Sequence, residues 1–191
     1  MKAIILIFVA LIIQTVSLKA QTADELFKSG EEKLDKSNYK DAIEDFTKSL
    51  KLKPDDPITY YERALSYSFM GNQKNAMADI TKAISLKSDY TEAYTMRANF
   101  YMNSKKYSKA VEDISMIIKL TPDDQSAYFL RGIAYGWMGK YQKAIEDYSK
   151  VIDLNPDNAE AYNSRGFNYE RLGLHEKAKK DFAKYKELTN D

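Results

Sequence analysis

The chain has 191 residues, 29 of them Lys or Arg against 28 Asp or Glu, with one histidine and no cysteine. Such a balance offers no basic face able to displace counterions from nucleic acid, and no disulfide framework. A lone His175 cannot build a metal site, no cofactor motif or glycine-rich phosphate loop is present, and no Ser-His-Asp or Cys-His set is read from the inventory, which points away from an enzyme. In chain order, the first segment is Met1-Lys2 followed by sixteen uncharged residues, Ala3 to Leu18, and then Lys19-Ala20-Gln21. One basic residue, an apolar run and a small residue after a polar stretch read as a secretory signal peptide over residues 1–20, cleaved after Ala20. The run falls short of the ~20 residues that span a hydrocarbon core, so retention as a membrane anchor is the weaker reading and no stable span is expected after cleavage. Two of the 29 basic residues lie in 1–20, which leaves 27 against 28 acidic ones in the mature chain. Export to a periplasmic or extracellular compartment, of a bacterium by the compact signal, is the expectation.

From residue 23 onward the chain repeats itself every 34 residues. The columns are Ala42, Ala76, Ala110, Ala144 and Ala178, then Asp45, Asp79, Asp113, Asp147 and Asp181, then Leu52, Leu86, Leu120, Leu154 and Leu188, with Tyr60, Tyr94, Tyr128 and Tyr162 as a fourth. A fixed period of this length marks a solenoid, in which each unit buries its apolar face against its neighbours. Each unit divides into two helical halves. In the fourth, Ala127, Tyr128, Arg131, Ala134 and Tyr135 fall at three- and four-residue spacings, and so do Tyr141, Ala144, Ile145, Tyr148, Val151 and Ile152. Gly139 closes the first half and Pro156 stops the second. Gly71 and Gly173 repeat the role of Gly139, the third unit places Lys105 there, and Asp56, Asp124 and Asn158 are N-cap residues. The chain is therefore expected to be all-α: ten helices in five antiparallel pairs near 23–56, 57–90, 91–124, 125–158 and 159–191. The alanine column permits close approach of the partner helix, and Phe46, Ile80, Ile114, Tyr148 and Phe182 are expected to fill the space between pairs.

This pattern resembles the tetratricopeptide repeat. The resemblance rests on the period, the small residues Gly30, Ala64, Ala98, Gly132 and Gly166, and the tyrosines Tyr67, Tyr101, Tyr135 and Tyr169 three further on. Pro54, Pro122 and Pro156 complete it, with Ser88 and Asn190 in place of the other prolines and Lys33 in place of the first tyrosine. The resemblance implies a right-handed solenoid whose first helices line a concave groove, and a protein-interaction role. Members that clamp a C-terminal carboxylate use lysine, asparagine and arginine on three successive first helices. Tyr61 is not basic, and although Asn99 fits, Thr95, Leu130, Glu160 and Ser164 do not, so that specialisation is rejected.

Arg63, Arg97, Arg131 and Arg165 recur just before the small residue, and with the aspartate column they predict a half-buried Arg–Asp ladder between units. At the end of the array, Lys179 follows Ile43, Met77, Val111 and Ile145, and Lys186 follows Leu50, Ile84, Ile118 and Ile152. Charge in those aliphatic columns reads as a polar cap, so no sixth repeat is expected. The stripe beside the core columns of the first helices does not recur. It comprises Tyr61, Leu65 and Phe69, then Asn99, Met102 and Asn103, then Phe129, Ile133 and Trp137, then Asn163, Phe167 and Arg171. Apolar and aromatic surface with a polar rim marks interaction sites, whereas the plainer alternative is packing between neighbouring first helices. The expected function is a non-enzymatic scaffold that holds a peptide or partner segment in this groove. Self-association within an envelope assembly is the alternative.

Overall fold

The computed structural model describes residues 21–189, and the segment read as a signal peptide lies outside the described residues. Among the described residues there are ten helices and no strand. They are α1 (Ala23–Asp35), α2 (Tyr39–Leu52), α3 (Pro57–Phe69), α4 (Gln73–Leu86), α5 (Thr91–Asn103), α6 (Tyr107–Leu120), α7 (Gln125–Trp137), α8 (Tyr141–Leu154), α9 (Ala159–Arg171) and α10 (His175–Thr189). Each helix packs chiefly against its neighbours in the chain, both within a pair and from one pair to the next. That is a solenoid of five helix pairs, as the repeat predicts.

Local chemistry explains where the helices begin. The Thr22 hydroxyl accepts from the Glu25 N–H at 3.1 Å while the Glu25 carboxylate accepts from the Thr22 N–H at 3.0 Å, a reciprocal cap on α1. Asp56, Asp124 and Asn158 cap α3, α7 and α9 by accepting from Ile58, Ala127 and Ala161. The third unit puts Tyr90 at that position, which makes no side-chain cap bond but buries its ring instead. Within each pair the turn needs a left-handed residue. Gly71, Gly139 and Gly173 supply it at φ near 70°, while Ser37 and Lys105 adopt the same conformation at φ 59° and 57°.

Packing within a pair rests on matched sizes, and Phe46, Tyr148 and Phe182, expected to fill the space between pairs, pack instead against the first helix of their own pair. All five column alanines are fully buried, as are Phe46, Ile80 and Ile114, and Tyr148 is nearly so. Removing one such side chain from water contributes about 1.5–3 kcal/mol. Where the second helix carries an aromatic ring, the first helix carries glycine. A Cβ on Gly30, Gly132 or Gly166 would lie 2.5, 2.8 or 2.7 Å from Cε1 of Phe46, Tyr148 or Phe182. Where the second helix carries Ile80 or Ile114, the first carries the buried alanines Ala64 or Ala98. The two columns are thus one coupled choice.

The Arg–Asp pairs form, but within units rather than between them. Arg63 meets Asp79 with its Nε and Nη2 at 2.7 and 2.8 Å, and Arg97–Asp113, Arg131–Asp147 and Arg165–Asp181 repeat this fork at 2.7–2.9 Å. The sixteen-residue separation joins the first helix of a pair to the second, which corrects the expected placement. The link between units comes from the remaining nitrogen. Nη1 of Arg63, Arg131 and Arg165 donates to Thr47, Ser115 and Ser149 on the preceding unit's second helix at 3.0–3.1 Å. Two tyrosine rings flank the guanidinium groups of Arg63, Arg131 and Arg165, and one, Tyr94, meets Arg97; Arg131 lies 5.6 Å from the Tyr128 ring centre and 5.9 Å from Tyr135. In the first unit, Ser29 and Lys33 serve Asp45 in place of the arginine. At the other end of the array, Lys179 and Lys186 are exposed.

Candidate partner-binding face

The stripe of first-helix residues divides in two. Nearer the start of their helices, Tyr61 and Phe129 are half-buried: Tyr61 lies 5.1 Å from the Tyr90 ring, and Phe129 sets its edge against Tyr148 at 5.5 Å. Leu65, Met102, Ile133 and Asn163 are also half-buried. Of these, Tyr61, Met102 and Phe129 pack against the buried core while keeping one edge in solvent. Burial is the main reason that the Tyr61 hydroxyl is pushed above its ordinary pKa.

Towards the ends of the first helices the stripe is open. Phe69 is 58% exposed, Trp137 71% and Phe167 60%. Asn99, Asn103 and Arg171 are exposed as well, and Arg171 forms no ion pair among the described residues. Two of the exposed rings are braced by the first tyrosine of a second helix. Phe69 stacks on Tyr39 at 4.9 Å and Trp137 on Tyr107 at 6.3 Å, nearly parallel in both cases. Phe167 meets Phe182 edge-on at 5.2 Å. Large rings held in place yet left in water present contact area with little ordering cost to a partner.

The face also has two electrostatic ends. Near the first pair, Glu31, Asp35 and Glu62 gather, and burial, followed by repulsion from Glu31 and Asp35, raises the Glu62 carboxyl pKa. Near the last pair, Trp137, Phe167 and Arg171 border a cavity of about 710 Å³ between α7 and α9, with Ile133 and Asn168 also on its wall. A second hollow of about 620 Å³ lies at the opposite end of that junction, beside Phe129. Sequence reasoning missed Glu62, Asn168 and the bracing tyrosines. Each left a trace, since Glu62 stands in the column of Met96 and Leu130, and Asn168 in that of Phe100 and Ala134.

Tetratricopeptide repeat profiles match residues 126–158 in one form and 26–56, 58–90, 91–124 and 159–191 in another. The chain belongs to the tetratricopeptide repeat family. Members are typically non-enzymatic scaffolds that bind protein partners, and the chain is a protein-interaction scaffold by its family. A crystal structure of MamA protein is similar at 28% identity and a TM-score of 0.81, over 88% of this chain and 92% of the other. A second MamA crystal structure shares 30% identity at a TM-score of 0.77, over 84% and 94%. MamA 41-end from Desulfovibrio magneticus RS-1, at 23% identity, a TM-score of 0.77 and 88% and 95% coverage, shares the fold. No curated protein matches the chain significantly. Within these tetratricopeptide repeats, no described helix is long and apolar enough to cross a membrane, and the described residues hold no group of three or more histidines or carboxylates suited to a metal.

Proposed function

We propose that the protein is an exported, non-enzymatic adaptor that holds a peptide or partner segment along the concave face of its first helices. The observation that carries this reading is the row of braced, water-exposed rings Phe69, Trp137 and Phe167 on that face. Exposed aromatic area of this kind is costly to leave in water and is used at interfaces as anchor surface. The recurring alanines, arginines and aspartates, by contrast, are committed to internal pairing and packing. The signal-like N-terminus supports an envelope or extracellular setting.

A photo-activated cross-linker placed at position 137 in the native host, with one at the exposed Lys82 on the second helix of its pair as control, tests the proposal. The expected result is one defined foreign polypeptide captured from position 137 and not from 82. Equal capture from both would overturn the reading. A product joining two copies of this chain from position 137 would replace it with self-association.

A further inference from the structure

The cavity between the fourth and fifth pairs differs from the equivalent place at every other junction. Its floor is set by two positions in the repeat register, occupied by Leu34 and Ser66 at the first junction, Ser68 and Phe100 at the second, and Met102 and Ala134 at the third. Each of those combinations places one bulky apolar side chain beside a small one. The fourth junction has Gly136 and Asn168 instead, and the space that a large side chain would take is open.

Asn168 is only 8% exposed, and its Nδ2 donates to the Ser164 carbonyl at 2.7 Å. That bond fixes which end of the amide is which, because only the NH2 group can donate to a carbonyl. Oδ1 therefore points the other way, 3.5 Å from where a Cβ on Gly136 would lie, and among the described residues no donor reaches it. Oδ1 is thus the open edge of an otherwise buried side chain, since none of the described buried side-chain polar atoms lacks a partner, and a ligand that displaces water from it has to supply a donor in return. Around it stand aromatic walls from Trp137, Tyr141, Tyr148 and Phe167. One helical turn on from Asn168, and thus on the same side of α9, Arg171 lines the cavity and forms no ion pair among the described residues.

We infer that this junction holds a partner's aromatic residue that carries a ring donor, tyrosine above all, followed by an acidic residue. The ring lies between Trp137 and Phe167, its hydroxyl donates to Asn168 Oδ1, and the neighbouring carboxylate meets Arg171. Phenylalanine fills the same space but leaves Oδ1 unserved. A lysine ammonium would serve Oδ1 but meets the charge of Arg171. This inference rests on the groove reading and specifies what one part of the groove selects.

Three capped hexapeptides test it: Gly-Ser-Tyr-Asp-Ser-Gly, the same with Phe for Tyr, and the same with Lys for Tyr. Each is titrated into the isotopically labelled whole chain while the amide signals of Gly136 and Asn168 are followed. The tyrosine peptide is expected to shift both signals and to bind roughly three- to tenfold more tightly than the phenylalanine peptide. Asn168→Ala should erase that preference. It restores the residue type of Ala134 at the same register position, so the fold is expected to tolerate it. Gly136→Met, which copies Met102, should abolish binding of all three while leaving the melting temperature unchanged or higher. Equal affinity for the tyrosine and phenylalanine peptides, lysine binding as tightly as tyrosine, or signals at Gly136 and Asn168 that stay still would each overturn the inference. Those results leave the groove reading intact if position 137 still cross-links a foreign polypeptide. A failed cross-link would remove the groove reading whatever the peptides do.

Discussion

Arg131→Met is expected to destabilise the protein by about 3–5 kcal/mol, the range for breaking a buried ion pair from one side. For a chain of this size the melting temperature should fall by roughly 6–20 °C. The arginine side chain is 19% exposed and the Asp147 side chain 6%, so water screens neither well. Three kinds of contact go at once: the two-pronged bond to Asp147, the bond from Nη1 to Ser115 on the preceding pair, and the stacking between Tyr128 and Tyr135. What remains is a carboxylate that burial already pushes up and that Arg131 no longer pulls down. The sign of the pH effect follows. With its folded pKa raised above the unfolded value, Asp147 penalises folding at all pH above the unfolded pKa, and the penalty shrinks as pH falls through the folded pKa. Thermal melting of wild type and variant at neutral and acid pH checks this, with the gap expected to narrow in acid. Adding Asp147→Leu should recover much of the loss at neutral pH, since a well-packed apolar pair tolerates the site better than a lone charge.

Gly132→Ala is the second substitution with a large expected effect, and its sign is unusual. In a helix interior the change ordinarily stabilises by about 1 kcal/mol. Here the new Cβ would lie 2.8 Å from Tyr148 Cε1, well inside carbon contact distance. Tyr148 cannot step aside easily, being 3% exposed and held by the edge of Phe129. Overpacking of that kind costs about 1–3 kcal/mol, so a net loss of up to about 2 kcal/mol is expected. Tyr148→Ile alone should also destabilise by leaving a void. The two together recreate the Ala64–Ile80 and Ala98–Ile114 combinations found elsewhere in the same protein and should recover most of the loss. Urea unfolding of the two single variants and the double variant measures this directly. Additive losses would show that the glycine and ring columns are independent.

Both predictions turn on residues that the repeat itself displays. Helix number, pairing and the alanine and aromatic columns were legible because each occurs several times, and repetition turns a weak local preference into a register. The Arg–Asp pairing was legible as chemistry but not as topology. Each arginine has one aspartate sixteen residues on in its own unit and another eighteen residues back in the preceding unit, and spacing alone does not choose between them. The coupling of Gly132 to Tyr148 sat in the columns but needed the 2.8 Å distance to become visible. The stripe was harder. It breaks the repeat, and a side chain met once, such as Phe129 or Trp137, carries no column to show whether it packs or protrudes. The two differ in depth alone, Phe129 against Tyr148 and Trp137 braced by Tyr107 in open solvent. Asn168 was missed because an asparagine in a helix reads as surface, and only its bond to the Ser164 carbonyl shows which atom is left over.

Central to the proposed function is that the exposed rings serve a partner rather than the fold. Scanning calorimetry of wild type and Trp137→Ala, each with and without the polypeptide captured from position 137, tests this in one set of curves. The partner should raise the wild-type melting temperature, as any ligand of the folded state does. Loss of one exposed stack should lower the variant's own melting temperature by no more than about 4 °C and remove the partner's effect. A variant that unfolds on its own, or one that the partner stabilises as fully as wild type, would contradict it.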